Sequence, residues 1–531
     1  MERDEYPAKR GHVSSSYLIR KNVYYDSIFL MRVARALSEE PGVKECAALM
    51  ATDANKELLA GLGIQAPDIA AATSNDLVIA IIADDAGVVE RLLGEIEVRL
   101  TRPNETSGAV LYRSTESACG EYPEANLVVI SVPGAYAARE ARKAVEQGKH
   151  VFLFSDNVPL EQEVELKQLA RSRCRLVMGP GCGTSLIGGV GVGFANRVRR
   201  GPVGVIGASG TGIQEFTSLI HLGGSGISHA IGTGSHDLSD AVGGITTLMG
   251  LDMLEADPAT RIIALISKPA GANTLRLLRE RLWRCPKPVI GLLLGLDGSL
   301  DCGRLFQQVR TVDQAVDATL SHVRNLGADG SLMPSSATIP QVEQDVRGWL
   351  PEQRYVRGLF AGGTLCFQAQ QVLHDAGIPV YSNTPLDSRY HLNNPEVSLE
   401  HSIIDLGDDH FTQGKPHPMI DAGERRKRIL REANDPEAAI LLLDFVLGEM
   451  SSANPVGDLI ETIRQAQHIV ARRGGCLAVV ASVCGTELDI QDLHNQQTML
   501  LEAGVSVLPS SAKAAALCRD LIGRAGARHD G

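Results

Sequence analysis

The chain has 531 residues, of which 44% are hydrophobic and 21% charged, a composition typical of a globular protein with roughly three or four domains. The net charge of −12, without a basic face interleaved with aromatic residues, argues against nucleic acid as a partner. No apolar run approaches the length of a membrane span and residues 1–10 are polar, so we expect no membrane span or signal peptide and a cytoplasmic location. The ten cysteines form no Cys-x-x-Cys pair, which favours reduced residues over disulfides or a zinc site.

Strand-like and helix-like segments alternate over residues 14–100. The strand-like segments are SSYLIRKNVYY, ECAALMAT and NDLVIAIIAD, and the helix-like segments are DSIFLMRVARALSEE, NKELLAGLG and AGVVERLLGEIEVRL. This order predicts a small α+β domain over residues 1–100, with a ferredoxin-like fold as one candidate. No residue pattern in it indicates chemistry.

From Asn126 onward, strands and helices alternate strictly with short connections. LVVISV, HVFLFS and RLVMGP read as strands with a helix after each of the first two, which predicts a parallel sheet covered by helices on both faces. Pro133-Gly134, Asp156-Asn157 and Gly179-Pro180-Gly181 follow these strands. Because ligands of such sheets bind at the carboxyl ends of the strands, we expect these turns to form the lip of one crevice, in a domain over residues 101–199.

One pattern then occurs twice: a short apolar strand, a small-residue turn that contains Gly-Thr, and an amphipathic helix. The copies are GVIGASGTGIQEF and GLFAGGTLCFQ, with Gly210 and Gly363 at matching positions. Such a turn leaves N–H groups free at a helix N-terminus, where the helix dipole favours an anion. We predict that both turns bind one phosphate, or a phosphate-like intermediate, between two related domains over residues 200–345 and 346–531. The alternative is a pair of ordinary strand–helix turns that need glycine for packing.

The fold class predicted for the whole chain is α/β, with several Rossmann-like or flavodoxin-like parallel-sheet domains and the small N-terminal α+β domain. Later buried strands support this fold class: RIIALISKP and PVIGLLLG in the first related domain, AAILLLDFVLG and CLAVVASV in the second. GADGSLMPSSATIPQ, rich in Gly, Ser and Pro, predicts a linker between them. The basic helix ERRKRILR predicts a solvated surface.

Several long strings carry a resemblance to known enzymes. LVMGPGCGTSLI, GPVGVIGASGTGIQEF and HAIGTGSHDLSDAVGG resemble the α subunit of succinyl-CoA synthetase. The block that opens with the second turn resembles the carboxyl-terminal domain of the β subunit, with IIDLGDDHFTQGKPHPMID in place of its Gly-rich turn. Over nearly its full length the chain is similar to the FdrA family, described as acyl-CoA-synthetase-like. The resemblance implies a CoA-binding-like Rossmann domain over residues 101–199 and succinyl-CoA-synthetase-like ligase domains over residues 200–345 and 346–531.

The chain departs from the ligase pattern in three places. The loop that carries the ligase's phosphorylated histidine is LDGSLDCGRLFQQ here, without histidine, and the glutamate that supports that histidine matches Lys268. TSGAVLYRSTESACGEYPE replaces the strand and Gly-rich turn that accept the pyrophosphate of CoA, and no ATP-grasp domain is present. The resemblance therefore implies that the phosphorelay does not run on this chain alone, and we expect weak CoA binding or none.

Candidate site residues lie in the glycine-rich turns and at strand ends. The candidates for phosphate or substrate binding are Gly207, Ser209, Gly210, Thr211, Gly212, Gly362, Gly363, Thr364, Gly181, Cys182, Gly183, Asp408 and Asp409. The catalytic candidates are His236, Asp237, Lys268 and His410. Lys268 would neutralise the bound anion, and its alternative is a surface lysine. Cys182 fits a packed small residue better than a nucleophile, because no histidine is near it in sequence.

Two polar clusters in Gly-rich loops, GTGSHDLSD and GDDHFTQGKPHP, leave three interpretations open. They suit acid–base chemistry or substrate hydrogen bonding, metal binding, or helix capping. A metal site needs three or four converging ligands, so we predict none.

We expect an enzyme that transfers an acyl or carbamoyl group and uses or forms an acyl phosphate. The FdrA resemblance implies an oxamate carbamoyltransferase, which converts oxalurate and phosphate to oxamate and carbamoyl phosphate in allantoin and purine catabolism. Separately encoded partner subunits and a homo-oligomeric state are further expectations. The alternatives are an NDP-forming acyl-CoA ligase with an ATP-binding partner, and a non-catalytic scaffold. The missing histidine favours the transferase over the ligase, and the two Gly-Thr turns favour either over the scaffold. The expected ligand is inorganic phosphate or an acyl phosphate, with no certain cofactor.

Overall fold

The computed structural model divides into two compact units. The units are Met1–Leu111 with Thr412–Pro416, and Tyr112–Phe411 with His417–Gly531. The structure describes residues 14–23, 25, 27–38, 40–100, 112–268, 270–296, 298–326, 346–412 and 415–529. The predicted linker GADGSLMPSSATIPQ lies outside these residues.

The first unit contains an antiparallel sheet of three strands in the order β1-β3-β2. Its elements are β1 (Ser14–Arg20), α1 (Ser27–Ser38), β2 (Val43–Met50), α2 (Asp53–Gly61), α3 (Pro67–Ala71), β3 (Leu77–Ala83), α4 (Ala86–Gly94) and α5 (Ile96–Leu100). Leu77, Ile79 and Ile81 of the central strand pack into one apolar cluster, and Val78 and Ala80 into another. Both faces of β3 are therefore buried, and the predicted small N-terminal domain with mixed helices and strands is confirmed.

The second unit opens with a parallel sheet of three strands in the order β4-β5-β6. Its elements are α6 (Thr115–Glu121), β4 (Leu127–Ile130), α7 (Gly134–Glu146), β5 (His150–Leu153), α8 (Leu160–Ser172) and β6 (Val177–Met178). These strands and helices follow the order that the sequence predicts for this region.

The next sheet has seven strands in the order β13-β12-β11-β9-β10-β7-β8. They are β7 (Thr184–Ile187), β8 (Val190–Gly193), β9 (Arg200–Gly207), β10 (Ile227–Gly232), β11 (Ile262–Ser267), β12 (Val289–Leu293) and β13 (Phe306–Val309). The helices are α9 (Gly210–Leu222), α10 (Ile245–Ala256), α11 (Ala272–Trp283) and α12 (Val312–Asn325). β9 to β13 are parallel, whereas the hairpin β7–β8 adds an antiparallel edge. Although the predicted boundary places β7 and β8 in the domain over residues 101–199, they extend this sheet.

The last sheet is parallel throughout, with five strands in the order β15-β14-β16-β17-β18. They are β14 (Tyr355–Phe360), β15 (Ser402–Asp405), β16 (Ala438–Val446), β17 (Ala478–Cys484) and β18 (Ser506–Leu508). The helices are α13 (Gly363–Asp375), α14 (Asp409–Thr412), α15 (Gly423–Asn434), α16 (Gly457–Arg472), α17 (Leu493–Glu502) and α18 (Ser511–His529). The predicted α/β class with several parallel sheets is confirmed. Among the described residues, no helix is both long and apolar enough to cross a membrane.

A symmetrical pair of side chains joins the two sheets that carry the duplicated turns. Glu215 of α9 and Gln368 of α13 each lie five residues beyond the matching turn glycine, and they hydrogen bond to each other at 2.8 Å. Gln368 Oε1 accepts the N–H of Val312 at the start of α12, and Glu215 Oε1 accepts the N–H of Ser511 at the start of α18. Each of the two sheets' domains therefore supplies a side chain that caps a helix of the other domain. Burial raises the pKa of Glu215 to about 7.

Candidate functional site

The two duplicated turns meet directly. Ser209 Oγ lies 2.5 Å from Thr364 Oγ1, a hydrogen bond between the first turn and the second. A Cβ built on Gly362 would lie 2.9 Å from the Thr211 side chain, so the backbone of one turn packs closely against the other. The structure thus brings the two predicted half-sites together at the paired N-termini of α9 and α13.

Within the first turn the glycines have different roles. A Cβ on Gly207 would lie 1.6 Å from the carbonyl oxygen of Ile266, so Gly207 is required by the packing of β9 against β11. A Cβ on Gly210 would have one neighbour within 4 Å, Thr184 Oγ1 at 3.3 Å. Packing therefore explains Gly207, whereas the space beside Gly210 is open to a ligand.

Several hydrogen-bond donors at this junction have no protein partner. Across the described residues, no acceptor faces the N–H groups of Gly210, Thr211, Gly363 or Thr364, and Gly363 is exposed. The Thr184 hydroxyl, in a residue only 4% exposed, also has no described partner. Free N–H groups at two helix N-termini, with a buried hydroxyl beside one of them, are the donors that bind a phosphate or carboxylate.

A buried ion pair shapes the second turn. Asp444, in β16, accepts the N–H groups of Ala361 and Gly362 at 2.8 Å each, and Arg425 Nη2 lies 3.1 Å from its Oδ1. Burial raises the pKa of Asp444, while Arg425 and the two N–H groups stabilise its charged form. Two N–H groups of this turn therefore serve the protein, and a ligand can use only those from Gly363 onward.

The prediction that ERRKRILR forms a solvated surface is wrong for two of its arginines. Arg425 and Arg428 of α15 are each 3% exposed. Arg425 pairs with Asp444, and Arg428 Nε lies 2.5 Å from Glu432 Oε1. A guanidinium can be buried where carboxylates and carbonyl groups accept its N–H groups, as they do here.

Asp405 lies beside the second turn and was not predicted as a site residue. It ends β15, is 9% exposed, and places Oδ2 2.6 Å from where a Cβ on Gly363 would lie. Burial raises the pKa of Asp405 to about 7; the Gly407 N–H and Lys268 lower it, and Asp408 and Asp444 raise it. Lys268 is exposed and directly follows β11, and its positive charge helps to lower the pKa of Asp405.

The GDDH segment follows β15 and leads into the short helix α14. Asp408 Oδ1 accepts the N–H of His410, in the first turn of the short helix α14. Asp409 and His410 are exposed, and no described contact joins the His410 side chain to either turn. His417 is different: burial lowers its pKa to about 4, and its Nε2 lies 2.8 Å from where a Cβ on Gly407 would lie, next to Asp405.

Asp237 has a structural role in place of the predicted catalytic one. It is fully buried, accepts the N–H groups of Thr246 and Thr247 and the Thr247 hydroxyl, and pairs with Lys167 at 2.8 Å. Helix capping, one of the three interpretations left open, therefore accounts for it. His236 differs from Asp237, because its side chain is 59% exposed.

The loop GPGCG is packed as predicted for Cys182. Burial raises the pKa of the Cys182 thiol to about 11, and its Sγ contacts the carbonyl oxygen of Thr184. Gly181 takes a left-handed φ of +61° and donates its N–H to Ser155. A Cβ on Gly183 would only touch Phe194, at 3.9 Å. Cys182 is therefore a protonated, buried residue, unsuited to act as a nucleophile.

One relative matches almost the whole chain. It is the Escherichia coli (strain K12) protein YahF, an FdrA-family protein, which is 42% identical over 512 residues, 96% of this chain and 99% of YahF. The chain belongs to the FdrA family. A more distant relative is the α subunit of an ADP-forming succinate–CoA ligase from Methanothermobacter thermautotrophicus, 26% identical over 194 residues, which cover 36% of this chain and 64% of that subunit. The fold of this FdrA-family chain is acyl-CoA-synthetase-like.

Among solved structures, a dinucleotide-forming acetyl-coenzyme A synthetase 1 from Ca. Korarchaeum cryptofilum, in complex with phosphate and ADP, is 18% identical. The match covers 80% of this FdrA-family chain and 88% of that chain, with a TM-score of 0.34.

Three family models match parts of this FdrA-family chain. They are described as AllF, heavy metal-associated domain (residues 13–116), CoA binding domain (residues 198–282) and CoA-ligase (residues 359–520). The CoA-binding match covers the first duplicated turn, whereas we expected the CoA-binding-like domain over residues 101–199. These matches support a role for CoA more strongly than the sequence alone does.

The name of the first family model implies a metal, and the described residues do not fit one. They contain no group of three or more His, Cys, Asp or Glu side chains able to hold an ion. Cys46 of β2 lies in the matched range, and burial raises the pKa of its thiol to about 12, which disfavours the thiolate that binds metals.

The raised pKa of Asp405 predicts a pH-dependent anion affinity. Asp405 is neutral below pH 7 and negative above it, so its charge repels an anion at Gly363 as the pH rises through 7. We expect sulfate, whose charge is constant over this range, to bind about tenfold more weakly at pH 8.5 than at pH 6. Calorimetric titration of sulfate at both pH values measures this ratio.

The matched variants for this titration are Asp405→Asn, which removes the titrating group, and Asp409→Asn, which changes an exposed carboxylate of the same segment. Sulfate affinity should become independent of pH in the first variant and stay pH-dependent in the second. An equal slope in Asp405→Asn and the wild type would contradict the role given to Asp405.

Proposed function

We propose that this chain carries out the acyl-transfer half of a CoA-ligase-type reaction. In this proposal the paired N-termini of α9 and α13 bind the phosphate group of an acyl phosphate, and a separately encoded partner carries out the nucleotide step. The observation that carries it is the meeting of the two turns, with free N–H groups on both sides of the Ser209–Thr364 hydrogen bond.

This geometry suits a phosphate that leaves during the reaction. As the bond from the acyl carbon to the phosphate oxygen breaks, negative charge grows on the phosphate. N–H groups fixed at two helix N-termini stabilise that charge without rearrangement, and Lys268 adds a positive charge nearby. Gly210 and Gly363 let the phosphate reach the backbone.

CoA is the acyl acceptor that the comparisons support. The CoA-binding and CoA-ligase family models match the two segments that carry the turns, and the distant relative is named as a subunit of a succinate–CoA ligase. The family models and the distant relative therefore support the ligase alternative more strongly than the motifs of the sequence do.

Carbamoyl transfer from oxalurate remains the second candidate, because of the loop after β12. That loop, LDGSLDCGRLFQQ, contains no histidine to accept a phosphoryl group from a nucleotide. Without such a relay, inorganic phosphate can still cleave an activated carbonyl compound directly. Phosphate-dependent conversion of oxalurate to oxamate and carbamoyl phosphate would use the same two turns.

Product analysis with two substrate pairs distinguishes these reactions. The chain, alone and with the proteins that co-purify with it, is supplied either with an acyl phosphate and CoA or with carbamoyl phosphate and oxamate. The proposal predicts a CoA thioester from the first pair. If only the second pair reacts and gives oxalurate, the chain is a carbamoyltransferase and not a ligase. If the chain binds phosphate but forms neither product, both proposed reactions are contradicted.

A further inference from the structure

A fully buried ion cluster lies on α8, outside the two turns. Glu163 and Lys167, one helical turn apart, are both fully buried. Lys167 Nζ lies 2.8 Å from Glu163 Oε1 and 2.8 Å from Asp237 Oδ1, and it also donates to the carbonyl oxygen of Thr233 at 3.0 Å. One ammonium group thus lies between two buried carboxyl groups.

The second oxygen of Glu163 faces a histidine. Glu163 Oε2 lies 3.2 Å from His236 Nδ1, and no other described hydrogen bond reaches that oxygen. A buried carboxylate oxygen needs a donor, so this contact favours the His236 tautomer with its proton on Nδ1. Nε2 then has a free lone pair, without a described partner, in a side chain that is 59% exposed.

The loop of His236 begins at the same sheet edge as the first turn. β9 and β10 are neighbouring parallel strands, and the N–H of Thr233 bonds to the carbonyl oxygen of Gly207 at 2.9 Å. Gly207 opens the turn that leads to Gly210. The carboxyl ends of parallel strands are where ligands of α/β sheets bind, so His236 follows a strand that ends at the proposed phosphate site.

We propose that His236 is the general base that takes the proton from the acyl acceptor, with Glu163 and Lys167 as positioning residues. This inference rests on the proposed function. The acceptor, the thiol of CoA in the proposed function, forms a bond to the acyl carbon while its proton moves to His236 Nε2. The bond between the acyl carbon and the phosphate oxygen breaks, and the phosphate leaves with the bonding electron pair. Glu163 stabilises the imidazolium that forms, and the contact with Lys167 holds Glu163 in position.

The tautomer of His236 tests the positioning part directly, without any assay of activity. In the full chain labelled with ¹⁵N-histidine, long-range ¹H–¹⁵N spectra at pH 8.5 should show the His236 proton on Nδ1, with the signal assigned by its loss in His236→Gln. In Glu163→Gln the amide oxygen faces Lys167, so the amide nitrogen faces Nδ1 and the proton should move to Nε2. A wild-type proton on Nε2, or no change in Glu163→Gln, would overturn the proposal.

Kinetics test the catalytic part. With the acceptor that the product analysis identifies, kcat of His236→Gln should fall by a factor on the order of 10²–10⁴, while KM for the acyl phosphate stays unchanged. The matched control is His374→Gln, because His374 is an exposed histidine beside Asp375 on α13. Full activity in His236→Gln would overturn the assignment. Absence of turnover in the wild type would contradict the proposed function instead, and the tautomer would still decide the role of Glu163.

Discussion

Replacing Gly210 by valine should weaken phosphate binding at least about tenfold while the chain stays folded. A Cβ on Gly210 would meet only Thr184 Oγ1, at 3.3 Å, so a small shift of the Thr184 hydroxyl accommodates it, and we expect the larger valine side chain to cover the N–H groups of the first turn. Loss of one to three charge-assisted hydrogen bonds, each worth about 1.5–3 kcal/mol, lowers phosphate affinity about tenfold or more per bond. Melting temperatures with and without phosphate measure this loss, because a bound ligand raises the melting temperature.

Two further glycine variants separate loss of stability from loss of phosphate binding. Gly207→Ala should destabilise the whole chain, because its Cβ would overlap the carbonyl oxygen of Ile266 at 1.6 Å. Gly363→Val should also lose phosphate binding, at some cost in stability, because its Cβ would lie 2.6 Å from Asp405 Oδ2. If Gly210→Val gains as much stability from phosphate as the wild type does, the first turn does not bind the anion. If it unfolds like Gly207→Ala, packing explains both glycines.

Replacing Asp444 by alanine should destabilise the chain by about 3–5 kcal/mol, the cost of breaking a buried ion pair. The change leaves Arg425 charged and buried without its partner, and it frees the N–H groups of Ala361 and Gly362 that hold the second turn in place. Unfolding by denaturant, followed by a probe of tertiary structure, measures the loss.

Asp409→Ala is the matched control, because Asp409 is an exposed carboxylate near the same turn, and its unfolding free energy should change by less than about 0.5 kcal/mol. A loss below about 1 kcal/mol in Asp444→Ala would show that the ion pair does not hold the turn. Phosphate binding should weaken in Asp444→Ala even where the variant stays folded.

The repeated strand–turn–helix pattern was enough to predict that the two turns meet. Both turns follow parallel strands, and a duplicated half-site implies a shared ligand between related domains. The hydrogen bond between Ser209 and Thr364 was not predictable, because it depends on how the two sheets pack. The same holds for Glu215 and Gln368, which cap helices of the opposite half.

Charged residues were the least predictable part of the site. The basic helix α15 gave no sign that Arg425 is buried, because its contact with Asp444 of the following strand β16 depends on how the helix packs on the sheet. Asp405 and Glu163 were missed for the same reason: burial gives each its role, and burial is a tertiary property. One signal was present on α8, since Glu163 and Lys167 share a helix face with the apolar Leu166 and Ala170.

Calorimetric titration of the wild-type chain with inorganic phosphate tests the central claim most directly. The paired helix N-termini predict saturation at about one phosphate per chain, with an affinity that falls at least about tenfold in Gly210→Val. Two results would contradict a phosphate site at the junction of the two turns. The first is the absence of both binding heat and a rise in melting temperature, and the second is equal phosphate binding by the wild type and Gly210→Val.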